Sequence, residues 1–305
     1  SIYALFNQDA FTSGVSNNFA GNTDIEVGSV NATPSGDRRD IWSFEATPAN
    51  RDLLVVWNNG YNAINRANES IEGIQSSALF KAGNARMQHL LGEAKGLRAI
   101  WYWYLINHWG DVPLKLTPTK AGDEFYLPRT DRNEVLTTII DDLISVEPMM
   151  MWADQLTYGR EQINREFIIG MIARLSLMRG GYGLYPGMVQ KRADDYLEYY
   201  KLANTYCRKL MSLKPHTLNP NFEQVFIDIN GYQTPENEDV LFEVAFHPGF
   251  GDVAWNNGVR VDAGEHPFGS GSNYLSLPPS YYYSFDTLDV RLKATCSIVY
   301  YDKDL

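Results

Sequence analysis

The 305-residue chain has 44% hydrophobic and 21% charged residues, close to ordinary globular values, which excludes disordered, collagen-like and coiled-coil classes. Lys and Arg number 26 against 37 Asp and Glu, a formal net charge of −11 with no basic block, so nucleic acid is not an expected partner. No apolar run of about 18 residues occurs, so no membrane-spanning helix is expected.

In chain order, a short helix near residues 3 to 12 leads into a long irregular excursion, residues 17 to 50, rich in Asn, Gly, Ser, Thr and Pro. Loops of that length in a compact domain are usually functional or mobile. From Asp52, the positions Val55, Val56, Tyr61, Ile64, Ala67, Ile71 and Ile74 recur at three- and four-residue spacing and predict a helix. A second helix is predicted from Asn84 to His108, with Leu90, Leu91, Ala94, Leu97, Trp101, Tyr104 and Leu105 on its apolar stripe and Gly110 and Pro113 as its stop. Asp131, three residues before Glu134, has capping-box spacing and opens a helix over Val135, Leu136, Ile139, Ile140 and Leu143. Further helices are expected at 162 to 179, ending in Gly180 and Gly181, and at 190 to 213, before Pro215. The texture then changes: 239 to 246 alternates as a strand would, 247 to 280 is rich in Gly, Pro, Ser and Asn, and 295 to 301 reads as another short strand. Successive helix pairs of this length suggest tetratricopeptide-like packing.

Motifs of enzymatic chemistry are missing from the sequence. None of His89, His108, His216, His247 and His266 belongs to H-E-x-x-H; Gly269–Ser272 has the wrong order for a nucleophile elbow; Gly181 and Gly183 follow a helix rather than a strand and lead to Pro186. Asp141 and Asp142 read as a solvated helix face, and Asp194 and Asp195 as acids favouring a helix N-terminus. Asp24 and Glu26, in the irregular segment, are the more plausible functional carboxylates. Cys207 and Cys296 are the only cysteines; they imply neither a metal site nor a redox pair, and a single bridge between them stays open. Neither a cofactor nor a metal is implied. The 19 tyrosines and 7 tryptophans join flat apolar faces to polar edges, which suits sugar-ring stacking as well as cores.

Four segments in order, "WNNGYNAINRANESIEGI" (57–74), "GEAKGLRAIWYWYLINHWGDVPL" (92–114), "LPRTDRNEVLTTIIDDL" (127–143) and "INREFIIGMIARLSLMRGGY" (163–182), resemble the SusD/RagB family, surface glycan-binding lipoproteins of Bacteroidetes nutrient uptake. The most specific match centres on Glu93, Ala94, Leu97, Arg98, Ala99, Tyr102, Leu105, Trp109, Gly110, Val112 and Pro113, and Asp289-x-Arg291 resembles a later family segment. The resemblance implies a mainly α, tetratricopeptide-like helical-hairpin scaffold with irregular loops and a few short strands. It further implies a single domain over residues 1–305, incomplete at both ends, with a helical repeat core at 50–213 and a loop-rich segment with short strands at 214–305. The family's C-terminal helices and lipidated N-terminal Cys are not in this sequence, so membrane attachment is expected only through a lipid anchor on the precursor, at the outer-membrane cell surface. A TonB-dependent, SusC-like transporter is the implied partner. Arg98, within an apolar helix, is expected to have a buried partner, because an unpaired charge there is costly.

In this family the fold motifs do not hold the ligand, so site residues are chosen on physical grounds: aromatic platforms beside planar hydrogen-bonding groups. Arg38, Arg39, Asp40 and Trp42, with Phe44 beside them, form one such group. Asp252, Trp255, Asn256 and Arg260, followed by His266, Phe268 and Tyr274, form the other. Tyr281, Tyr282 and Tyr283 are expected to pack a short helix. The leading reading is non-catalytic oligosaccharide capture for a transporter; the rivals are a helical glycoside hydrolase using two loop carboxylates and a peptide- or protein-binding scaffold.

Overall fold

The structure is a computed structural model and describes residues 1–30, 32–235, 239–247, 250, 253, 258–261 and 271–299. It divides into two compact units, the first made of Ser1–Ile2, Gly60–Asn219 and Tyr232–Ala245, the second of Tyr3–Asn59, Pro220–Gly231 and Phe246–Leu305.

The first unit is built from helices. After a five-residue helix α1 (Arg38–Trp42) in the second unit, helix α2 spans Arg51–Ser76. The short α3 (Ala78–Lys81) follows, then α4 (Ala85–Trp109), α5 (Arg132–Val146), α6 (Arg165–Gly180) and α7 (Tyr196–Leu213). Side-chain caps set the starts: Asn84 accepts from the amide of Met87 and Asn164 from that of Phe167. Asp131 accepts from Asn133 rather than Glu134, so α5 has a simple aspartate cap in place of the expected box. Gly110, at φ 68°, closes α4 where a side chain would be strained.

Helix α4 is the centre of this unit. Leu97, Trp101, Tyr102 and Leu105 are at most 2% exposed, and Gly92 and Gly96 are buried as well, so apolar contacts surround the helix instead of forming one stripe. The missing side chain at Gly60 brings α2 onto Leu105, and that at Gly96 brings α6 close through Ile163 and Ile168. Helices α4 and α5, α5 and α6, and α6 and α7 then pack in succession, which is the helical-hairpin scaffold. Gly180 admits the Tyr200 ring and the Tyr196 carbonyl at the end of α6, where an added Cβ would lie 2.8 Å from each.

Arg98 has the buried partners its setting demands. Its guanidinium donates to Asn68 Oδ1 at 2.6 Å, to the Leu116 carbonyl at 3.3 Å and to the Asp142 carboxylate. Asn68 in turn donates to the Lys115 and Thr117 carbonyls, each at 3.1 Å, and Tyr102 Oη donates to the Lys115 carbonyl at 3.0 Å. Lys95 also binds Asp142, at 2.7 Å. Asp142 therefore anchors a buried network instead of merely solvating a helix face. A second such centre is Glu147, 1% exposed, which pairs with Arg165 at 2.8 Å and with Lys209.

Helix α7 begins at Tyr196 rather than near 190 because β2 (Gly183–Tyr185) and β3 (Val189–Lys191) form an antiparallel hairpin there, with Tyr185 opposite Val189. The turn between them holds Gly187 at φ 79° and Met188 at φ 61°. The strand expected at 239–246 is not formed. Leu241 and Phe242 instead lie along α6, with the Leu241 carbonyl accepting from Asn164 at 2.9 Å and the Phe242 ring 4.9 Å from Phe167.

In the second unit the N-terminal segment forms a 3₁₀ turn, Tyr3–Asn7, and a π-helical stretch, Ala10–Asn18, in place of one short helix. Within the excursion, β1 (Val27–Gly28) pairs antiparallel with β4 (Leu275–Ser276). Helix α8 (Phe222–Asn230), which the sequence reading passed over as loop, packs against the helical turn Arg291–Thr295. That turn occupies the start of the strand expected at 295–301; residues 300 and 301 lie outside the described residues. The Asp289 carboxylate holds Arg291 through side-chain and backbone hydrogen bonds, which lower its pKa to about 2. Cys207 is exposed, Cys296 is buried, and both are free thiols. Among the described residues no helix is long and apolar enough to cross a membrane.

Candidate functional site

The excursion is ordered from within. Asp37 caps α1 by accepting from the Arg39 amide at 2.8 Å. Asp40, 3% exposed, accepts from the amides of Ser35 at 2.9 Å and Gly36 at 2.5 Å, so its carboxylate closes the preceding turn. Asn50 ties the far end: its side-chain oxygen caps α2 through the Asp52 and Leu53 amides, and its nitrogen reaches the Asp37 carbonyl at 2.8 Å.

Trp42 is the core of this loop system and offers no ring face to a ligand. It is 2% exposed, its Nε1 donates to the Asn18 carbonyl at 2.9 Å, and its carbonyl accepts from Asn22 at 2.6 Å. Gly21 and Gly28 lie flat against the indole; a Cβ there would come within 2.1 and 2.5 Å of ring atoms. The expectation that Trp42 and Asp40 contact a ligand is thus replaced by loop-building roles for both. Sequence composition could not separate a buried from an exposed tryptophan here, because its neighbours in the chain mix polar and apolar residues while its packing partners are distant glycines.

Three other residues carry the exposed chemistry of this face. Arg38 has its guanidinium carbon 4.3 Å from the Tyr274 ring centre and 5.7 Å from that of Trp42, and its Nε has no hydrogen-bond partner among the described residues. Tyr274, immediately before β4, is 40% exposed. Phe44, just after α1, is 83% exposed and sits at φ 61°, a conformation that holds its ring away from the core. Arg39 is half-buried in α1, and Arg260 is exposed beside the Val261–Gly271 bridge. Asp252, Trp255 and Asn256, like His266 and Phe268, lie outside the described residues.

Beyond the β1–β4 ribbon, Thr23, Asp24 and Ile25 meet Pro278, Ser280, Tyr281 and Ser284 around a cavity of about 470 Å³. It combines one aromatic wall, one carboxylate and three hydroxyls. Tyr281 is braced edge-on by Phe285, with ring centres 5.1 Å apart. Glu26, next to the cavity in sequence, has its pKa raised by burial. Asp24 was legible as a candidate; Tyr281 was read as packing, because a short aromatic run gives no sign of which ring faces outward. Tyr283 is 80% exposed, contrary to the packing role expected for it.

A model of the SusD-like family described as "Starch-binding associating with outer membrane" matches residues 13–152. The SusD-like protein P2 of Formosa agariphila is 25% identical over 265 residues, covering 84% of this chain and 48% of its own length. The chain is similar to the SusD/RagB family over these residues. The SusD-like chain therefore spans about half the length of this curated relative. Surface glycan-binding protein A from Bacteroides uniformis shares its fold with a TM-score of 0.75 at 16% identity, over 99% of this chain and 63% of that one. A laminarin-binding SusD-like protein matches with a TM-score of 0.68 at 18% identity, over 96% and 63%. At these identities the likeness establishes the fold, and the chemistry of the SusD-like loops must be argued from their own residues.

Proposed function

We propose that this SusD-like chain captures oligosaccharide without cleaving it, at the loop surface of its second unit. The observation that carries the reading is the cavity at Asp24 and Tyr281. A pyranose ring presents an apolar face and a rim of hydroxyls, which match a tyrosine wall with carboxylate and hydroxyl groups beside it. Arg38, Tyr274 and Phe44 extend the surface with a stacked guanidinium and two exposed rings.

The family-model match and the laminarin named for one structural relative support carbohydrate as the ligand class. The absence of a carboxylate pair favours binding over turnover. Glycosidic hydrolysis uses two acids about 5 to 10 Å apart, and Asp24 is the only carboxylate among the residues lining this cavity. In our reading the protein works at the outer-membrane surface, held by a lipid anchor on its precursor, and passes its cargo to a SusC-like TonB-dependent transporter.

Isothermal titration with laminarihexaose and maltohexaose, followed by product analysis, tests the proposal. We expect weak, reversible binding with no cleavage products, reduced at least tenfold by Tyr281→Ala. Cleavage would replace capture with hydrolysis. Binding unchanged by Tyr281→Ala and Tyr274→Ala together would remove the site from this surface.

A further inference from the structure

The first unit contains a larger cavity, about 590 Å³, that the loop site does not use. Its walls come from the start of α5, the end of α6, the β2–β3 hairpin and the residues leading into α7. We propose that it is a second carbohydrate site, taking a neutral oligosaccharide segment independently of the loop surface in the second unit.

The walls are fixed by contacts that leave their inner groups available. Arg179 forms a two-pronged pair with Asp195, at 3.0 and 2.8 Å, and donates to Thr137 Oγ1 at 3.0 Å, so its charge is already neutralised. Its guanidinium also lies 4.2 Å from the Tyr199 ring centre, which joins α6 to α7. Gly183 leaves room for Arg132 behind β2; a Cβ at that position would sit 1.7 Å from the guanidinium. Arg192 is packed on Tyr196 at 3.5 Å and Tyr182 at 4.9 Å, and Lys191 on Tyr185 at 4.2 Å.

The side chains of Asn133, Glu134 and Asp194 line the cavity and have no hydrogen-bond or ion-pair partner among the described residues. These planar groups can each take two neighbouring hydroxyls, and Tyr185 supplies an aromatic wall. Charge chooses among ligand classes. With Arg179 paired to Asp195, the lining acids Asp131, Glu134 and Asp194 stand against Lys191 and Arg192; the net charge of −1 disfavours an anion, and the two lining bases disfavour an organic cation. No group of three His, Cys, Asp or Glu residues among the described ones is placed to hold a metal ion. A neutral, hydroxyl-rich ligand remains, and the volume is in the range of small-ligand pockets, about 300 to 1,000 Å³.

The test is amide NMR of the whole chain, titrated separately with laminarihexaose and maltohexaose to the solubility limit. At least one sugar is expected to shift the amides of Asn133, Glu134, Tyr185 and Asp194. The isosteric double variant Glu134→Gln/Asp194→Asn is expected to weaken that response at least tenfold while the rest of the spectrum is retained. No shift at these amides with either sugar, or shifts that the double variant leaves unchanged, would overturn the proposal. The loop reading is scored separately by the amides of Asp24, Ser280 and Tyr281, so either site can fail while the other stands.

Discussion

Two aromatic residues two positions apart, Trp42 and Phe44, show how a single loop divides its labour. Trp42 is locked between glycines and Phe44 is held in solvent by a left-handed backbone. Trp42→Ala should therefore cost about 3 to 5 kcal/mol of stability in denaturant unfolding, as large-to-small changes at buried aromatics do. Phe44→Ala should stay within about 0.5 kcal/mol, since its side chain gives up almost no burial, yet weaken oligosaccharide binding severalfold by titration calorimetry. His89 supplies a pH prediction at the same scale. It is fully buried, its Nδ1 accepts from the Met151 amide at 3.3 Å, and burial, helped by nearby Arg86, lowers its pKa from 6.5 to about 4. The unfolded chain takes up a proton as pH falls through 6.5 while the folded chain does not. Stability is thus full above 6.5 and declines until about pH 4, by on the order of 3 kcal/mol in total. Unfolding at pH 7.5 and pH 5 should show this loss in the native chain and a smaller one in His89→Gln.

Among the elements, α4 carries the residues by which the family is recognised, and its Arg98 does structural work that a variant can expose. Arg98→Met leaves Asn68 Oδ1 and the Leu116 carbonyl without this buried donor and leaves Asp142 paired with Lys95 alone. Removing one partner of a buried pair costs about 3 to 5 kcal/mol, and a melting curve should register it without a specific loss of sugar affinity at temperatures where the variant is folded. The long helices were legible because each carries a long run of frequent apolar residues, and polar caps mark starts such as those at Asn84 and Asn164. The β2–β3 hairpin and α8 were not. Strands of three residues are too short to establish a period; α8, in contrast, carries Phe222, Val225, Phe226 and Ile229 at three- and four-residue spacing behind an Asn221 cap, a helix signal present in the sequence but overlooked because the segment is so short. The 239–246 segment misled for the opposite reason: its apolar residues pack on α6 through Leu241 and Phe242 and have no partner strand among the described residues. The proposed site draws on Arg38, Asp24 and Tyr274, which the sequence offers as candidates, while burial gives Trp42 and Asp40 loop-building roles beside it.

For the molecule as a whole, the net charge of −11 gives a simple discriminator. Interactions of exposed charges are screened over about 8 Å at physiological ionic strength, whereas a neutral sugar brings no charge to screen. The affinity for laminarihexaose or maltohexaose should therefore change less than about twofold between low and high salt in titration calorimetry; a steep salt dependence would indicate a charged ligand instead. The internal anchoring of the excursion by Trp42, Asp40 and Asn50 has a kinetic corollary. A loop already in shape need not order itself around a ligand, so little conformational entropy is spent at each encounter. Association should accordingly be fast and single-phased, with only a modest heat-capacity change, and modest affinity then implies short residence. Brief occupancy is the behaviour suited to a surface that must repeatedly let go of what it catches.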